Sequence, residues 1–132
     1  MKIRKAQESD YDRLREFDGF KQATVERIRN GECLVAELDG VVSGYAVVNR
    51  TFFDRPFVAF LFVAAESRRI GLCSALLDRI ESECGEPKLW ISTALENTPM
   101  QRNLEKRKYQ FAGVVHGLAK IPELIYFKEV GA

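Results

Sequence analysis

Residues 57–77 read FVAFLFVAAESRRIGLCSALL, and the rest of the predicted fold follows from this segment. Its first part, residues 57–65, has no charged side chain and is rich in Phe and Val, which predicts a strand buried on both faces. From Ile70 onward apolar residues return every three or four positions, which predicts an amphipathic helix that ends near Gly85 and Pro87. The expected apolar face of this helix comprises Ile70, Cys73, Leu77, Ile80 and Cys84. The segment therefore predicts a buried strand that leads directly into a helix.

The junction between this strand and this helix has the chemistry of an anion site. The first turn of a helix leaves about four backbone N–H groups without partners and carries partial positive charge. Gly71 has no side chain that would keep a phosphate from the backbone, and Arg68 and Arg69 add two positive charges. Two simpler interpretations use the same residues: a glycine that serves only as a turn residue, and an arginine pair that faces solvent. The local chemistry leaves all three interpretations open.

The junction also has a characteristic order of residues. Arg68 is followed by two residues, then by Gly71, one further residue and the small Cys73. This order resembles the acyl-CoA binding signature of the GNAT N-acetyltransferase superfamily, in which Arg or Gln precedes two residues, Gly, one residue, and Gly or Ala. Arg69 stands where Gly is common, and Cys73 replaces the final Gly or Ala. The resemblance implies that the pyrophosphate of acetyl-CoA binds to Arg68, Arg69, Ile70, Gly71, Leu72, Cys73 and Ser74.

The helix is followed by another apolar segment, Lys88–Ala94, which predicts a second strand. A strand, a helix and a strand in succession predict a parallel pair with a right-handed crossover, and such units bind ligands at the carboxyl ends of their strands. In the resembled family these two strands splay apart, and the pantetheine arm of the cofactor lies between them. The resemblance therefore implies that the backbone of Phe62 and Val63 pairs with pantetheine and that Asn97 borders the cofactor channel.

The rest of the chain predicts further strands and helices. Strands are expected at residues 2–6, 33–38, 42–50, 111–118 and 123–130, and helices around residues 11–17, 21–29 and 98–108. Asp39 and Gly40 predict a tight hairpin turn, and Gly44 predicts a bulge or a close backbone neighbour. Thr98 is the expected cap of the last helix. Residues 51–56 are expected to form a loop whose aromatic pair, Phe52 and Phe53, covers the core.

These elements predict one fold class. We expect an α/β (α+β) protein with a mixed, mostly antiparallel, twisted sheet of six to seven strands. One parallel pair is joined by the central helix, and about four helices flank the sheet. A length of 132 residues fits a single domain. The resemblance implies that this domain, residues 1–132, is an N-acetyltransferase domain.

The composition excludes several other classes of protein. Hydrophobic residues make up 46% and charged residues 30% of the chain, as in folded globular proteins. A net charge of +1 predicts no broad attraction to nucleic acid or to a membrane surface. Residues 1–10 alternate charged and apolar side chains, which predicts no secretory signal, and no apolar stretch approaches the length of a membrane span. The three cysteines fit reduced thiols, so we expect a cytoplasmic protein. Its single histidine and the spacing of its cysteines predict no metal site.

The proton carriers that acyl transfer requires are harder to identify. Leu104 stands where many members of the resembled family have a Tyr that protonates the departing thiolate. Ser92 stands where some members have a Glu, and it could position a water that removes the proton of the amine. Glu96 and His116 are more typical of a solvated loop and of a packed or surface strand, respectively. The sequence therefore offers Ser92 as its one catalytic candidate.

The resemblance implies an acetyl-CoA-dependent N-acetyltransferase that moves an acyl group to a primary amine by direct attack in a ternary complex. The acceptor would be a small molecule or a peptide, and the sequence does not choose between them. The missing acid at Leu104 favours an alternative, which is a domain that binds or senses acyl-CoA without catalysis. We also expect the apolar segment Leu124 to Phe127 to form a strand that pairs across a homodimer.

Overall fold

The computed structural model describes residues 1–131, which form seven strands and four α-helices. The strands are β1 (Lys2–Lys5), β2 (Cys33–Leu38), β3 (Val41–Phe52), β4 (Arg55–Val63), β5 (Lys88–Ala94), β6 (Gln110–Val115) and β7 (Glu123–Glu129). The helices are α1 (Tyr11–Phe17), α2 (Val25–Arg29), α3 (Leu72–Glu83) and α4 (Thr98–Lys106). Within this part of the chain, no helix is long and apolar enough to cross a bilayer.

The strands form one sheet in the order β1-β2-β3-β4-β5-β7-β6. β4 and β5 are parallel, with Phe57 opposite Trp90 and Val58 opposite Ile91. The pairs β1–β2, β2–β3, β5–β7 and β6–β7 are antiparallel. The mixed, mostly antiparallel sheet with one parallel pair confirms the predicted fold class.

The chain divides into two compact units. The first unit comprises Met1–Asn49 and Ala59–Glu83, and the second comprises Arg50–Val58 and the chain from Cys84 onward. The long strands β3 and β4 run through both units, whereas every helix belongs to one of them.

In the first unit, the turn between β2 and β3 confirms the predicted hairpin. Asp39 and Gly40 have φ angles of +52° and +79°, as a two-residue turn between twisted strands requires. Further along β3, Gly44 pairs with Ala36, but the next pair joins Glu37 to Val42, so one extra residue of β3 bulges out. A Cβ atom added at Gly44 would lie 3.1 Å from the Phe62 carbonyl oxygen. This close backbone neighbour explains why the position holds glycine.

The buried face of α3 agrees with the prediction at Leu77 and Ile80 and differs from it elsewhere. Leu72, Leu76, Leu77 and Ile80 are buried, whereas Ile70 is 47% exposed. Cys73 and Cys84 are only half-buried. A period of three to four residues fits both sets, and the leucines bury more apolar surface than cysteines do.

The prediction that β4 is buried on both faces is also wrong. Only Pro56 and Val58 are buried in β4, and residues 59–63 are half-buried. In the first unit, aromatic rings of this strand stack on one another and on Tyr45 of β3, with Phe60 and Phe62 centroids 6.4 Å apart. Uncharged aromatic residues on a half-exposed face produce the same apolar run as a fully buried strand.

In the second unit, the loop predicted at residues 51–56 is a two-residue turn. β3 continues to Phe52, and Phe53 and Asp54 turn with φ angles of +51° and +56° before β4 begins. Phe53 is 81% exposed, so the prediction that it covers the core is wrong for this ring. Phe52 does pack, because its ring lies 5.2 Å from Phe57 and 5.5 Å from Trp90.

Other boundaries also differ from the prediction: β6 ends at Val115 rather than at residue 118, and α4 ends at Lys106 rather than at residue 108. α2 begins at Val25 rather than at residue 21, because the Thr24 hydroxyl accepts a hydrogen bond from the Arg27 amide and caps the helix. α4 is capped by Asn97 rather than by Thr98.

The position of β7 overturns its expected role in a dimer. It pairs with β5 on one side and with β6 on the other. Both of its edges are therefore occupied, and residues 124–127 are not free to pair with a second chain.

Candidate functional site

The sequence predicts an anion site at the start of α3. Its first hydrogen bond runs from the Ala75 amide to the Gly71 carbonyl at 3.0 Å, so the earlier amides of the first turn have no acceptor within the helix. The first turn contains no acidic side chain, and the helix dipole adds partial positive charge at this end. The local field therefore favours a bound anion.

Gly71 leaves open space beside this helix start. Its φ angle is +97°, in the left-handed region that glycine adopts without steric cost. A methyl group at this position would meet no protein atom within 4 Å. A phosphate group can therefore approach the backbone closely at Gly71.

Arg69 is exposed and has a φ angle of +67°. The left-handed backbone gives a physical reason why glycine is common at this place in the resembled family. In this chain the same place holds a positive charge instead.

Arg68 connects the helix start to the end of β4. Its Nε donates a hydrogen bond to the Val63 carbonyl at 3.1 Å. Its guanidinium carbon lies 5.4 Å from the centre of the Phe62 ring, within the range of a cation–π interaction. Both contacts orient the guanidinium and fix the loop against the strand predicted to hold pantetheine.

The end of β4 is also held by β3. The Ala64 amide donates to the carbonyl of Ser43, the residue that bulges from β3, at 2.8 Å. The Phe62 carbonyl packs against Gly44. The backbone of Phe62 and Val63 is therefore positioned by the bulge and by Arg68 together.

The remaining residues of the predicted cradle have mixed exposure. Leu72 is 1% exposed and anchors the first turn of α3 in the core. Cys73 and Ser74 are half-buried. The first turn thus lies beside two arginines and the open space at Gly71.

In the second unit, Asn97 has a structural role. Its Oδ1 accepts a hydrogen bond from the Met100 amide at 3.3 Å and caps α4. Gln101 of the same helix donates through Nε2 to the Leu95 carbonyl at 2.7 Å. The end of β5 and the start of α4 therefore form one hydrogen-bonded corner, and Asn97 is exposed on it.

No acid stands at the position of the missing Tyr. Leu104 is fully buried in α4 and packs as a core residue. Tyr109, three residues after the end of α4, is also buried at 5% exposure. The side chain at position 104 therefore carries no proton for a leaving group.

Ser92 is half-buried on β5, opposite Ile125 of β7. Glu123, the first residue of β7, pairs with Ala94 and points to the same face of the sheet as Ser92, because side chains alternate along both strands. Burial raises the pKa of the Glu123 carboxyl above its ordinary value. A carboxyl group of raised pKa on the same face of the sheet as Ser92 is a candidate base.

Sequence reasoning missed Glu123. It stands alone at the start of an apolar strand, where a carboxylate usually faces solvent. Its relation to Ser92 depends on the register between β7 and β5, which the sequence does not give. Within residues 1–131, no group of His, Cys, Asp and Glu side chains is placed to hold a metal ion.

Comparison with known proteins extends these observations. The model of the acetyltransferase (GNAT) family matches residues 2–109 of the chain. No curated protein matches the chain. Among solved structures, an acetyltransferase of the GNAT family from Bacillus cereus is 25% identical, with a TM-score of 0.89 over 99% of this chain and 98% of that chain.

Two more distant structures share the fold. The ribosomal-protein-alanine N-acetyltransferase of Brucella melitensis is 20% identical, with a TM-score of 0.81 over 98% of this chain and 99% of that chain. The protein yncA of Salmonella typhimurium, solved with its cofactor acetyl-CoA, is 20% identical, with a TM-score of 0.79 over 100% of this chain and 95% of that chain. Because the family model spans most of its length, the chain belongs to the acetyltransferase (GNAT) family.

Proposed function

We propose that this chain is an acetyl-CoA-dependent N-acetyltransferase that transfers the acyl group to a primary amine of a small molecule or a peptide. The observation that carries the proposal is the open, positively charged start of α3, which Arg68 joins to the end of β4. Acetyl-CoA is the acyl donor of GNAT acetyltransferases, and yncA is bound to it. The Brucella relative acts on an alanine amine of a ribosomal protein, which supports an amine as acceptor class.

The proposed cradle for the pyrophosphate comprises Arg68, Arg69, Ile70, Gly71, Leu72, Cys73 and Ser74. Its amides and the two guanidinium groups would donate hydrogen bonds to the phosphate oxygens. The backbone of Phe62 and Val63 would pair with pantetheine, and the Val63 carbonyl would do so while it accepts from Arg68. Asn97 is a proposed cofactor residue that acts from the corner it caps.

The thioester of acetyl-CoA is already activated toward an amine. In the proposed reaction the amine nitrogen attacks the thioester carbonyl carbon, the carbon–sulfur bond breaks and the amide bond forms. Glu123 would accept the proton of the amine through a water positioned by Ser92. The thiolate would take its proton from solvent, because Leu104 has none to give. Holding the reactants in place can lower the barrier by roughly 7 to 11 kcal/mol, so one good base suffices.

A second candidate function is a domain that binds acyl-CoA without catalysis. The observation that favours it is the fully buried Leu104 at the place of the family's acid. Release of free thiol from acetyl-CoA, measured over a panel of primary amines and short peptides, separates the two functions. Turnover supports the transferase, whereas binding of CoA without turnover supports the sensing domain.

Substitution of Gly71 tests the cradle. Gly71→Glu would place a carboxylate where the diphosphate is expected, so we expect its affinity for CoA to fall at least about tenfold by calorimetry, since a charge-assisted contact is worth about 1.5–3 kcal/mol.

Gly117→Glu is the matched control, because Gly117 has a φ angle of +91° and also has no protein atom within 4 Å of an added methyl group. Both variants are expected to lose about 1–3 kcal/mol of stability through backbone strain. Equal CoA affinity in the two variants, or no heat of binding with the unmodified protein, would show that the cradle assignment is wrong.

A further inference from the structure

Aromatic side chains from α1, from the loop after it, and from β3 and β4 gather in the first unit. This aromatic cluster comprises Phe17, Phe20, Tyr45, Phe60 and Phe62. Tyr45 is fully buried, and its ring stacks on Phe60 with the centroids 5.8 Å apart. Phe17 stacks on Phe62 with the centroids 6.2 Å apart. The aromatic cluster therefore has a closed, buried base.

Phe20 is the exposed member of the aromatic cluster. Its ring centroid lies 5.3 Å from that of Phe60 and 5.5 Å from that of Phe62, yet the residue is 61% exposed. Phe60 and Phe62 are themselves only half-buried. Exposed apolar surface that continues a packed cluster is typical of a binding site, because folding alone would bury it. The aromatic cluster thus presents an open face at Phe20.

The loop that carries Phe20 is held in place by Asp18, which is 3% exposed. Oδ1 of Asp18 accepts a hydrogen bond from the Phe20 amide at 3.0 Å. Oδ2 accepts from the Tyr45 hydroxyl at 2.5 Å and from the Gln22 amide at 3.3 Å. A buried carboxylate with several donors makes its surroundings rigid. The hydrogen bonds of its own loop therefore keep Phe20 at the surface.

The open face adjoins the proposed cofactor site. Phe62 belongs to both, because its ring lies in the aromatic cluster while its backbone is proposed to pair with pantetheine. Arg68 contacts the Phe62 ring and also donates to the Val63 carbonyl. The thioester lies at the end of the pantetheine arm, and the attacking amine must reach it in a close, oriented approach. An acceptor bound there brings the group next to its amine against the aromatic cluster.

Charges around the aromatic cluster discriminate among acceptors. The guanidinium groups of Arg13 and Arg68 lie over two of its rings, 5.1 and 5.4 Å from the ring centres. The acidic neighbours Glu16 and Glu66 pair with Arg13, at 3.0 and 3.9 Å. Asp18 is buried and accepts three hydrogen bonds. A second positive charge on the acceptor would therefore meet cations and no unpaired carboxylate of these three.

We propose that the aromatic cluster binds the group next to the reacting amine and selects acceptors in which that group is large and apolar. The inference rests on the proposed function, since it names the acceptor class of the same site. An aromatic or branched aliphatic group packs on Phe20 and is removed from water, whereas a methyl group buries little surface. The acceptor class is thus an amine like that of phenylalanine or leucine, free or at the start of a peptide.

Binding tests the inference without turnover. Ligand-observed NMR compares phenylalaninamide, alaninamide and lysinamide on the full chain, with and without CoA. We expect phenylalaninamide to bind at least about tenfold more tightly than alaninamide, the order of discrimination that apolar sites achieve. Phe20→Ala should remove most of this difference and leave CoA affinity unchanged. Phe53→Ala is the matched control, because Phe53 is also an exposed loop phenylalanine, and it should keep the difference.

Acetyl transfer to the same amides, and to short peptides that begin with the same residues, tests selection during catalysis and distinguishes a small-molecule acceptor from a peptide. Phe20→Ala should lower kcat/KM for the phenylalanine acceptors at least about tenfold and leave that for the alanine acceptors unchanged. Circular dichroism establishes that both variants are folded.

Equal affinity for the three amides, a preference for lysinamide, no binding of phenylalaninamide, or an equal loss in Phe20→Ala and Phe53→Ala would overturn the inference. Selective binding that depends on Phe20, without transfer to any amine, would support the aromatic site and overturn the proposed transferase. Transfer without selection among the amides would do the reverse.

Discussion

Two residues other than glycine adopt left-handed backbone conformations near a helix end, one before α3 and one after α4. Arg69 has a φ angle of +67° in the cradle, and Lys108 has a φ angle of +71° after α4. At Lys108 the geometry is a Schellman motif, because the amide of Tyr109 donates to the Leu104 carbonyl and that of Lys108 donates to the Glu105 carbonyl. A positive charge at Arg69 has a proposed use, whereas among residues 1–131 no contact of the Lys108 side chain explains its strain.

We therefore expect Lys108→Gly to raise the free energy of unfolding by about 0.5–1 kcal/mol, because glycine avoids the steric cost of the left-handed region. α2 already ends in the same motif with a glycine, Gly31, at a φ angle of +73°. Lys106→Gly is the control, since it removes the same exposed lysine charge two residues earlier, inside the helix. It should lower stability by about 1 kcal/mol. Urea unfolding measures both changes, and a loss of stability in Lys108→Gly would contradict the prediction.

Glu123 combines a proposed catalytic use with a cost to stability. Burial raises the pKa of its carboxyl, so the folded chain holds this proton more tightly than the unfolded chain does. Stability therefore falls as pH rises through the window between the ordinary pKa and the raised pKa. Glu123→Gln cannot ionise, so we expect it to be more stable than the unmodified protein at neutral pH. The difference should vanish below the ordinary pKa of the carboxyl.

The same variant should be less active. If Glu123 is the base, Glu123→Gln should lower kcat/KM about a hundredfold or more and abolish the rise of activity with pH, without weakening CoA binding. Glu129→Gln, at the exposed end of the same strand and on the same face, is the control and should change neither activity nor stability appreciably. Full activity in Glu123→Gln would remove Glu123 from the mechanism but would leave the cradle untouched.

At the scale of elements, the spacing between β3 and β4 depends on Gly44. A Cβ at this position would lie 3.1 Å from the Phe62 carbonyl oxygen and 3.4 Å from Val63 Cγ2. The nearer neighbour is backbone, which cannot move as a flexible side chain would. The strand predicted to bind pantetheine is thus placed by a residue that has no side chain.

We expect Gly44→Ala to lower the free energy of unfolding by about 1–3 kcal/mol, because the added methyl group must push β4 away from β3. Gly19→Ala is the control, since no protein atom lies within 4 Å of the added group and its φ angle is not positive. Its effect should be near zero or slightly stabilising. Chemical denaturation of both variants measures the difference, and equal stability would show that the sheet accommodates a side chain at Gly44 without strain.

Helices, strands and turns whose positions depend on neighbouring residues were predictable from the sequence. The face that each element buries was less predictable. The bounds of β5 agree with the prediction, as do the hairpin turn at Asp39 and Gly40 and the helix that follows β4. The buried face of α3 was predicted correctly at Leu77 and Ile80 but not at Cys73, because its cysteines and leucines recur with the same period. Only packing against the core distinguishes the two sets.

For the whole molecule, the sequence alone determined the order of strands and helices, the parallel pair around α3 and the positive, glycine-containing start of that helix. The order of elements and the helix start arise from nearby residues, through turn geometry, helix termini and the alternation of apolar residues. The parallel pair follows from the right-handed crossover of a strand–helix–strand unit.

The tertiary structure decided the rest. It placed β7 between β5 and β6, which removed β7 as a dimer strand and left β6 at the edge. It set the register that brings Glu123 to the face of Ser92, and it directed Arg68 to the Val63 carbonyl. The strand placement and the register join segments that are not adjacent in the chain, and a shift of one residue would turn every side chain of a strand to the other face. Local sequence preferences do not specify such a register, so the packing of the whole sheet determines it.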